Sequence, residues 1–389
     1  MRVTNALDSE GNDGPWSSFH LRVGTPEQSV RVLVSTASPQ SMVVLSDDGC
    51  ATSAFSGASA PPNCAVSRGS LFNPNESSTW NKVGRYSING DGVGLEANLG
   101  YHADVTFALE TMAVGLNGRR FENQTVAGLS AAEPFYLYVL RGKVNGRVLM
   151  LRSGVLGLNN QPVNFSSLGN YSASSYLTTL KEEGVIPSLS WSYTAGAQYR
   201  RLTNAYVVMN TTDTSLTGLK QVYGQLIFSG YDKSRIDTRS TVSFTMADDQ
   251  TRDLVVALQS ISYSGSNEAT LLSDTIPIMI DSTDPNLWLP DKACDAFEKA
   301  FGLTLDQKSG LYLVNDTHHT SLLNSDARVS FRLSDVKAGG DAVTVTLPYD
   351  AFALQAQAPL VNNTSYYFPL KRAANATQYT LGRVFLQEA

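Results

Sequence analysis

The chain has 389 residues, more than one hydrophobic core usually supports, so the sequence predicts two lobes. Hydrophobic residues make up 42% and charged residues only 16%, and the net charge of -6 is spread out, with no basic stripe to hold a phosphate backbone. We therefore expect no nucleic-acid partner. No apolar run approaches the roughly 20 residues that cross a bilayer, so we expect no membrane span within this chain.

Short apolar runs separated by turn residues dominate the chain, and their alternation and β-branched content predict strands. Two segments have the apolar spacing of helices, at 174–183 and 292–301. The pattern is that of an all-β protein with few short helices. The predicted strands include 19–23, 30–34, 42–45, 105–114, 155–158, 190–193, 226–228, 276–280 and 343–347.

A weak internal repeat organises the chain. Residues 32–44 (VLVSTASPQSMVV) recur as residues 278–290 (IMIDSTDPNLWLP), each a hydrophobic strand, a hydroxyl-rich turn with proline and a second hydrophobic run. An apolar pair leading into a glycine follows each copy, at 153–158 and 379–386. Glycine at such a place allows the backbone of another segment to approach closely. The repeat predicts two homologous lobes that face each other.

Cysteines and glycosylation sequons bear on the compartment. Cys50 and Cys64 bracket a loop rich in Ser, Ala and Pro, so we expect them to form a disulfide bridge and Cys294 to stay a buried free thiol. Nine Asn-x-Ser/Thr sequons favour a secreted glycoprotein, although some could be accidental in a Ser/Thr-rich chain. Residues 1–18 are polar, which suggests a mature or trimmed chain. The sequons are at Asn75, Asn123, Asn164, Asn170, Asn210, Asn315, Asn362, Asn363 and Asn375.

Several further segments, met in order along nearly the whole chain, carry a family resemblance. They are Val23-Gly24-Thr25-Pro26, the stretch 72–80 (FNPNESSTW), Leu99-Gly100-Tyr101 and the stretch 227–232 (IFSGYD). Together with the repeat, they resemble the pepsin-like aspartic proteases. The resemblance implies a bilobal fold of two β-barrel-like lobes, 1–185 and 186–389, with a cleft between them. It also implies that the second lobe is truncated before its last strand, since the family continues beyond residue 389.

In that family, each lobe supplies an Asp-Thr/Ser-Gly loop, and the two aspartates share a proton and hold a water. Asp281 falls on the second aspartate, but Ser35 stands in place of the first. Serine cannot act as a carboxylate base. The hydroxyls that knit the two loops together are kept, as Thr36 and Ser282. Asp284 could in principle pair with Asp281, but it lies on the same loop.

Other departures concern the cleft. The glycines of the two triplets are Ala37 and Thr283, and the flap tyrosine position is Gly90, unless a shifted alignment places Tyr86 there. No histidine has a triad setting that would make Ser35 a nucleophile. The histidines and cysteines lack metal-ligand spacing, so we expect no metal or cofactor, and we interpret the pair 318–319 as a solvated loop. Residues 90–94 (GDGVG) are interpreted as a hairpin turn rather than a nucleotide loop.

These observations predict a catalytically inactive, pepsin-like pseudoprotease whose cleft accepts an extended peptide or protein segment. Two alternatives stay open. One is an active aspartic endopeptidase with a degenerate dyad, and the other is an interaction or inhibitor protein that acts through outer loops. We expect a monomer of fungal type, secreted or extracellular, with any cell-surface anchor in a segment outside this chain.

Overall fold

The computed structural model describes residues 2–387 except 6–7, 52–59, 61–62, 89–98, 100–103, 130–152, 166–167, 202–223, 237–240 and 358–359. Strands predominate. The first thirteen are β1 (Arg2–Asn5), β2 (Asp8–Glu10), β3 (Trp16–Val23), β4 (Gln28–Ser35), β5 (Ser41–Val44), β6 (Asn81–Ser87), β7 (Asp104–Val114), β8 (Phe121–Leu129), β9 (Gly154–Gly157), β10 (Val163–Phe165), β11 (Tyr171–Ala173), β12 (Trp191–Thr194) and β13 (Gln225–Phe228).

The second half of the chain adds twelve strands and most of the helical residues. The strands are β14 (Val255–Ser264), β15 (Glu268–Leu272), β16 (Ile276–Ile280), β17 (Leu287–Leu289), β18 (Thr304–Asp306), β19 (Leu311–Val314), β20 (Arg328–Ser334), β21 (Ala342–Pro348), β22 (Leu354–Ala356), β23 (Ser365–Phe368), β24 (Leu370–Arg372) and β25 (Thr380–Leu381). The helices are α1 (Cys64–Ser67), α2 (Tyr176–Glu182), α3 (Asp291–Phe301), α4 (Asp316–Asn324) and α5 (Tyr349–Phe352).

Two large sheets form the two lobes. The first has the order β2-β3-β4-β9-β5-β8-β7-β6, and an additional β3–β7 pairing closes part of it into a barrel-like form. The second has the order β21-β20-β14-β16-β25-β17-β24, with β15 on β14. A separate sheet, β1-β13-β12, joins the first strand to the middle of the chain. Each predicted strand named above overlaps an observed one.

The repeat in the sequence corresponds to a repeat in the sheets. β4 pairs in parallel with β9, and β16 pairs in parallel with β25. The second run of each copy, β5 or β17, pairs antiparallel with that same strand. In both lobes, the strand that leads into the hydroxyl-rich turn therefore pairs with the segment that contains the glycine of the repeat.

The hydrophobic cores of the lobes exchange residues. Trp16 and Leu33, from the first sheet, are buried in the core formed by the second sheet and α3. Trp288, from the second sheet, and Ala373, which follows β24, are buried in a core of first-lobe residues. Each lobe thus completes the core of the other.

The two predicted helices are present as α2 and α3. The Ser175 side chain caps α2 by accepting from the Thr178 N–H, and Gly302, with φ of 62°, ends α3 in the left-handed region that favours glycine. In α3, Cys294 is fully buried and forms no disulfide, as expected. The predicted bridge between Cys50 and Cys64 is confirmed.

The interpretation of the histidine pair as a solvated loop is wrong, because His318 and His319 lie in α4. The Asn315 side chain caps this helix by accepting from the His318 N–H. Asn315 is also a sequon residue in a polar segment, so its capping role was not recognised from the sequence. His319 is half-buried, with its ring stacked on Tyr366 at 3.7 Å between centroids and Nδ1 3.1 Å from the Tyr349 hydroxyl. Among the described residues, no helix is long and apolar enough to cross a membrane.

Candidate active site

The two loops of the repeat meet at the junction of the lobes. Strand β4 ends at Ser35, and strand β16 ends one residue before Asp281. The Leu158 N–H donates to Ser35 O at 2.9 Å, and the Asp281 N–H donates to Leu381 O at 3.1 Å. Parallel pairing with β9 and β25 therefore fixes the backbone at both positions.

Gly157 and Gly382 allow these loops to fold tightly. A Cβ atom at Gly157 would lie 2.5 Å from the Ser38 carbonyl oxygen, and one at Gly382 would lie 2.5 Å from that of Asp284. Real Cβ atoms essentially never come so close to a backbone oxygen. The glycines of the repeat are therefore required by close approach of the two turns.

Thr36 and Ser282 hold the two loops together by reciprocal hydrogen bonds. The Thr36 N–H donates to Ser282 Oγ at 3.0 Å, and the Ser282 N–H donates to Thr36 Oγ1 at 3.1 Å. Each hydroxyl also donates to a carbonyl of the opposite strand, Ser282 Oγ to Val34 O at 2.7 Å and Thr36 Oγ1 to Ile280 O at 3.4 Å. This buried network follows the symmetry of the repeat and sets the distance between the loops.

Ser35 and Asp281 are linked through the hydroxyl of Thr283. Thr283 Oγ1 lies 2.6 Å from Ser35 Oγ and donates to Asp281 Oδ1 at 2.7 Å. The same carboxylate oxygen accepts from the Thr283 N–H at 2.9 Å. All three residues are almost completely buried, with 2% or less of their surface exposed. The side chain that replaces the glycine of the second triplet therefore lies between the two dyad positions.

The direction of these hydrogen bonds follows from the number of hydrogens. With Asp281 ionised, the carboxylate only accepts, so the single Thr283 hydroxyl hydrogen is donated to it. Ser35 must then be the donor to Thr283. The Ser38 N–H donates to Ser35 Oγ at 2.8 Å and completes the series. In the part of the chain that the structure describes, the Ser35 hydroxyl thus contacts an N–H and a hydroxyl, and no base of a serine hydrolase.

The neighbouring Asp284 serves its own loop. Its Oδ1 accepts from the Asn286 N–H at 2.6 Å, from Asn286 Nδ2 at 2.9 Å and from Trp288 Nε1 at 3.1 Å. Asp284 is fully buried. These contacts account for a carboxylate at this position without a pairing with Asp281. In the first triplet, Ala37 is also buried.

Sequence reasoning missed Arg383, which lies behind the Asp281 loop. Its Nε donates to Ser282 O at 2.9 Å and its Nη2 donates to Thr283 O at 2.8 Å. The guanidinium lies over the Trp16 ring, 4.9 Å from the centroid, and only 3% of the residue is exposed. A charged residue inside the apolar run after Gly382 was the signal that could have identified it.

The flap can be described only in part. Gly90 lies outside the described residues. Tyr86, the alternative position for the flap tyrosine, lies in β6 and packs against Phe107 and Phe165, with ring centroids 5.9 Å apart in both pairs. Its ring therefore belongs to the aromatic core of the first lobe.

Comparisons with known proteins agree with this geometry. The sequence profile described as "Eukaryotic aspartyl protease" matches residues 18–389, nearly the entire chain. The chain belongs to the eukaryotic aspartyl protease family. Its structure is similar to that of the aspartic proteinase from Irpex lacteus, with a TM-score of 0.55. That match covers 99% of this chain and 92% of the other at 14% sequence identity, so it shows the bilobal, pepsin-like fold. No curated protein matches the chain.

Within an aspartyl protease family, the chemistry expected at this junction requires two carboxylates that share a proton. This member of the family has one carboxylate, Asp281, and two hydroxyls, Ser35 and Thr283, in the corresponding space. Among the described residues, no group of three or more His, Cys, Asp or Glu side chains could hold a metal ion. Among the described residues, this arrangement can accept and donate hydrogen bonds, and it holds one carboxylate where the paired acid and base would need two.

Proposed function

We propose that this aspartyl protease family member is a pseudoprotease that binds an extended peptide or protein segment in the cleft between its lobes. The observation that carries the proposal is the Ser35–Thr283–Asp281 hydrogen-bonded series. Loss of one acid–base partner alone costs about 10²–10⁴ in rate. The Thr283 side chain adds to that loss because it occupies the space between the dyad positions.

Binding does not require the dyad. An extended segment can pair with strand-like backbone and place alternate side chains in pockets, so the fold can keep a ligand site after losing its chemistry. The Thr36 and Ser282 network supports this view, since it preserves the relation between the lobes on which the shape of the cleft depends.

We also propose that the protein is a glycoprotein, secreted or at the cell surface. The Cys50–Cys64 disulfide is typical of an oxidising compartment. Eight of the nine sequon asparagines lie among the described residues, and all eight are exposed. The ninth, Asn210, lies outside the described residues.

The proposal is tested by measuring binding and cleavage on the same purified protein. A randomised octapeptide library is incubated with it at pH values from 2 to 7, and captured peptides and cleavage products are identified by mass spectrometry. We expect captured peptides without turnover at any pH. Asp281→Asn is the matched control, because it removes the remaining dyad carboxylate and keeps its shape.

Turnover at acidic pH that Asp281→Asn abolishes, and that a peptide mimicking the transition state blocks, would establish the active endopeptidase instead. Absence of any captured peptide would overturn binding in the cleft and favour an interaction through outer loops.

A further inference from the structure

Arg252 lies beside the strand that leads into Asp281. It precedes β14 in a turn closed by a hydrogen bond from the Ala247 N–H to Asp253 O at 2.8 Å. Two residues after Arg252, Leu254 O accepts from the Ile280 N–H at 2.9 Å. Ile280 is the residue before Asp281, so the backbone that carries Arg252 is adjacent to the candidate active site.

The same turn reaches the first lobe. Asn159 Nδ2 donates to Gln250 O at 3.4 Å, and the Asn159 N–H donates to Ser38 O at 3.1 Å in the loop that follows Ser35. The turn at 247–253 therefore spans the junction between the loops of Ser35 and Asp281. Arg252 therefore lies on a turn that contacts both lobes beside this junction.

Carboxylates lie near the Arg252 guanidinium, but among the described residues none of them contacts it directly. Its Nε is buried without a hydrogen-bond partner, and among the described residues the guanidinium forms no ion pair and no hydrogen bond. The same turn holds three aspartates, at 248, 249 and 253. Asp249 accepts from the N–H of Thr251 at 3.0 Å and from its hydroxyl at 2.7 Å instead of pairing with Arg252. Buried donors in native proteins nearly always have partners, so an unpaired one calls for an explanation.

The Arg252 guanidinium is the group of this turn that can bind an anion, and nearby charges favour its ionised form. Burial lowers the pKa of the Arg252 guanidinium, while the carboxylates of Asp249 and Asp281 act in the opposite direction. An arginine side chain stays ionised even when it is partly buried, and its planar donors match a carboxylate. Because Ser35 carries no charge, the junction has one carboxylate fewer to repel an acidic group than a dyad would have.

We infer that Arg252 forms an anionic subsite of the cleft, which takes the side-chain carboxylate of an Asp or Glu in the bound segment. The inference rests on the proposed binding function and adds a specificity to it. The bound carboxylate would accept charge-assisted hydrogen bonds from the guanidinium, including its unpartnered Nε–H.

The test compares pairs of fluorescent, C-terminally amidated peptides taken from the captured library, identical except for Glu or Gln at one position. We expect one position at which the Glu peptide binds about tenfold or more tightly, the effect of a charge-assisted hydrogen bond. Arg252→Gln should remove this preference, and Arg252→Lys should keep part of it, since lysine retains the charge without the planar donors. Arg332→Gln, at an exposed arginine of β20, is the matched control and should change nothing.

A second measurement does not depend on any variant. Raising the salt concentration from about 0.02 M to about 0.5 M should weaken the Glu peptide more than the Gln peptide, because screening acts on the charge pair. Equal binding of the two peptides, unchanged by Arg252→Gln, would overturn the inference while peptide binding itself stands. If no peptide binds at all, the proposed function and this inference fail together.

Discussion

Replacing Ser35 by Asp restores the second carboxylate, yet we expect it not to restore a protease. In the structure, the Thr283 hydroxyl is hydrogen-bonded to both dyad positions, at 2.6 Å and 2.7 Å. It has one hydrogen, so it can satisfy only one of two carboxylates. It also occupies the space in which a shared water would be held.

The magnitude follows from two separate losses. A missing general acid–base partner costs about 10²–10⁴ in rate, and Ser35→Asp addresses only this loss. Displacement of the reacting group by about 1 Å costs roughly a further hundredfold, and this loss persists while Thr283 stays. The triple variant Ser35→Asp, Thr283→Gly, Ala37→Gly should therefore cleave peptides about 100 times faster than Ser35→Asp alone.

The assay is cleavage of a quenched fluorescent peptide between pH 2 and pH 7, with thermal unfolding recorded for each variant. The control is the same triple variant with Asn at position 35, which matches Asp in shape but cannot ionise. Equal and robust turnover by Ser35→Asp alone would refute the argument, because it would show that the Thr283 side chain does not obstruct the site.

Three further outcomes are expected. Arg383→Lys replaces the two separate donor nitrogens that reach the Ser282 and Thr283 carbonyls by a single ammonium without the planar geometry. Urea unfolding should then show a loss of about 2–3 kcal/mol, and an unchanged midpoint would contradict the role of the guanidinium. Thiol titration should detect no reactive thiol in the native protein, since burial raises the pKa of Cys294 to about 12. After denaturation it should detect one thiol, and detection of three thiols would exclude the disulfide. Protein made in a eukaryotic secretory host should lose mass on treatment with an N-glycosidase, and an unchanged mass would contradict the glycoprotein proposal.

The repeat in the sequence was sufficient to place Ser35 opposite Asp281, because strand pairing and the close approach at Gly157 and Gly382 leave few ways to arrange these segments. The role of Thr283 could not be predicted in this way. Its hydroxyl position depends on a side-chain rotamer in an environment built from both lobes.

The other two omissions have different causes. Arg383 was missed because a buried cation is recognisable only once the carbonyls that it contacts are known, and these lie about 100 residues away in the chain. The helix at Asp316–Asn324 was missed because its sequence is polar and its N-terminal signal is one Asn side chain. The boundary between the lobes at residue 185 stays a prediction.

The exchange of core residues between the lobes limits how the cleft can adapt to a ligand. Trp16 and Trp288 are 2% and 5% exposed, and each is buried by the opposite lobe. An aromatic side chain of this size buries roughly 150–250 Å², so a hinge motion that parts the lobes would expose both indoles to water. Opening by rigid-body movement is therefore costly in this molecule. Ligands of different size must be accommodated by side chains and surface loops at the edges of the cleft, while the distance between the lobes at their buried junction stays constant.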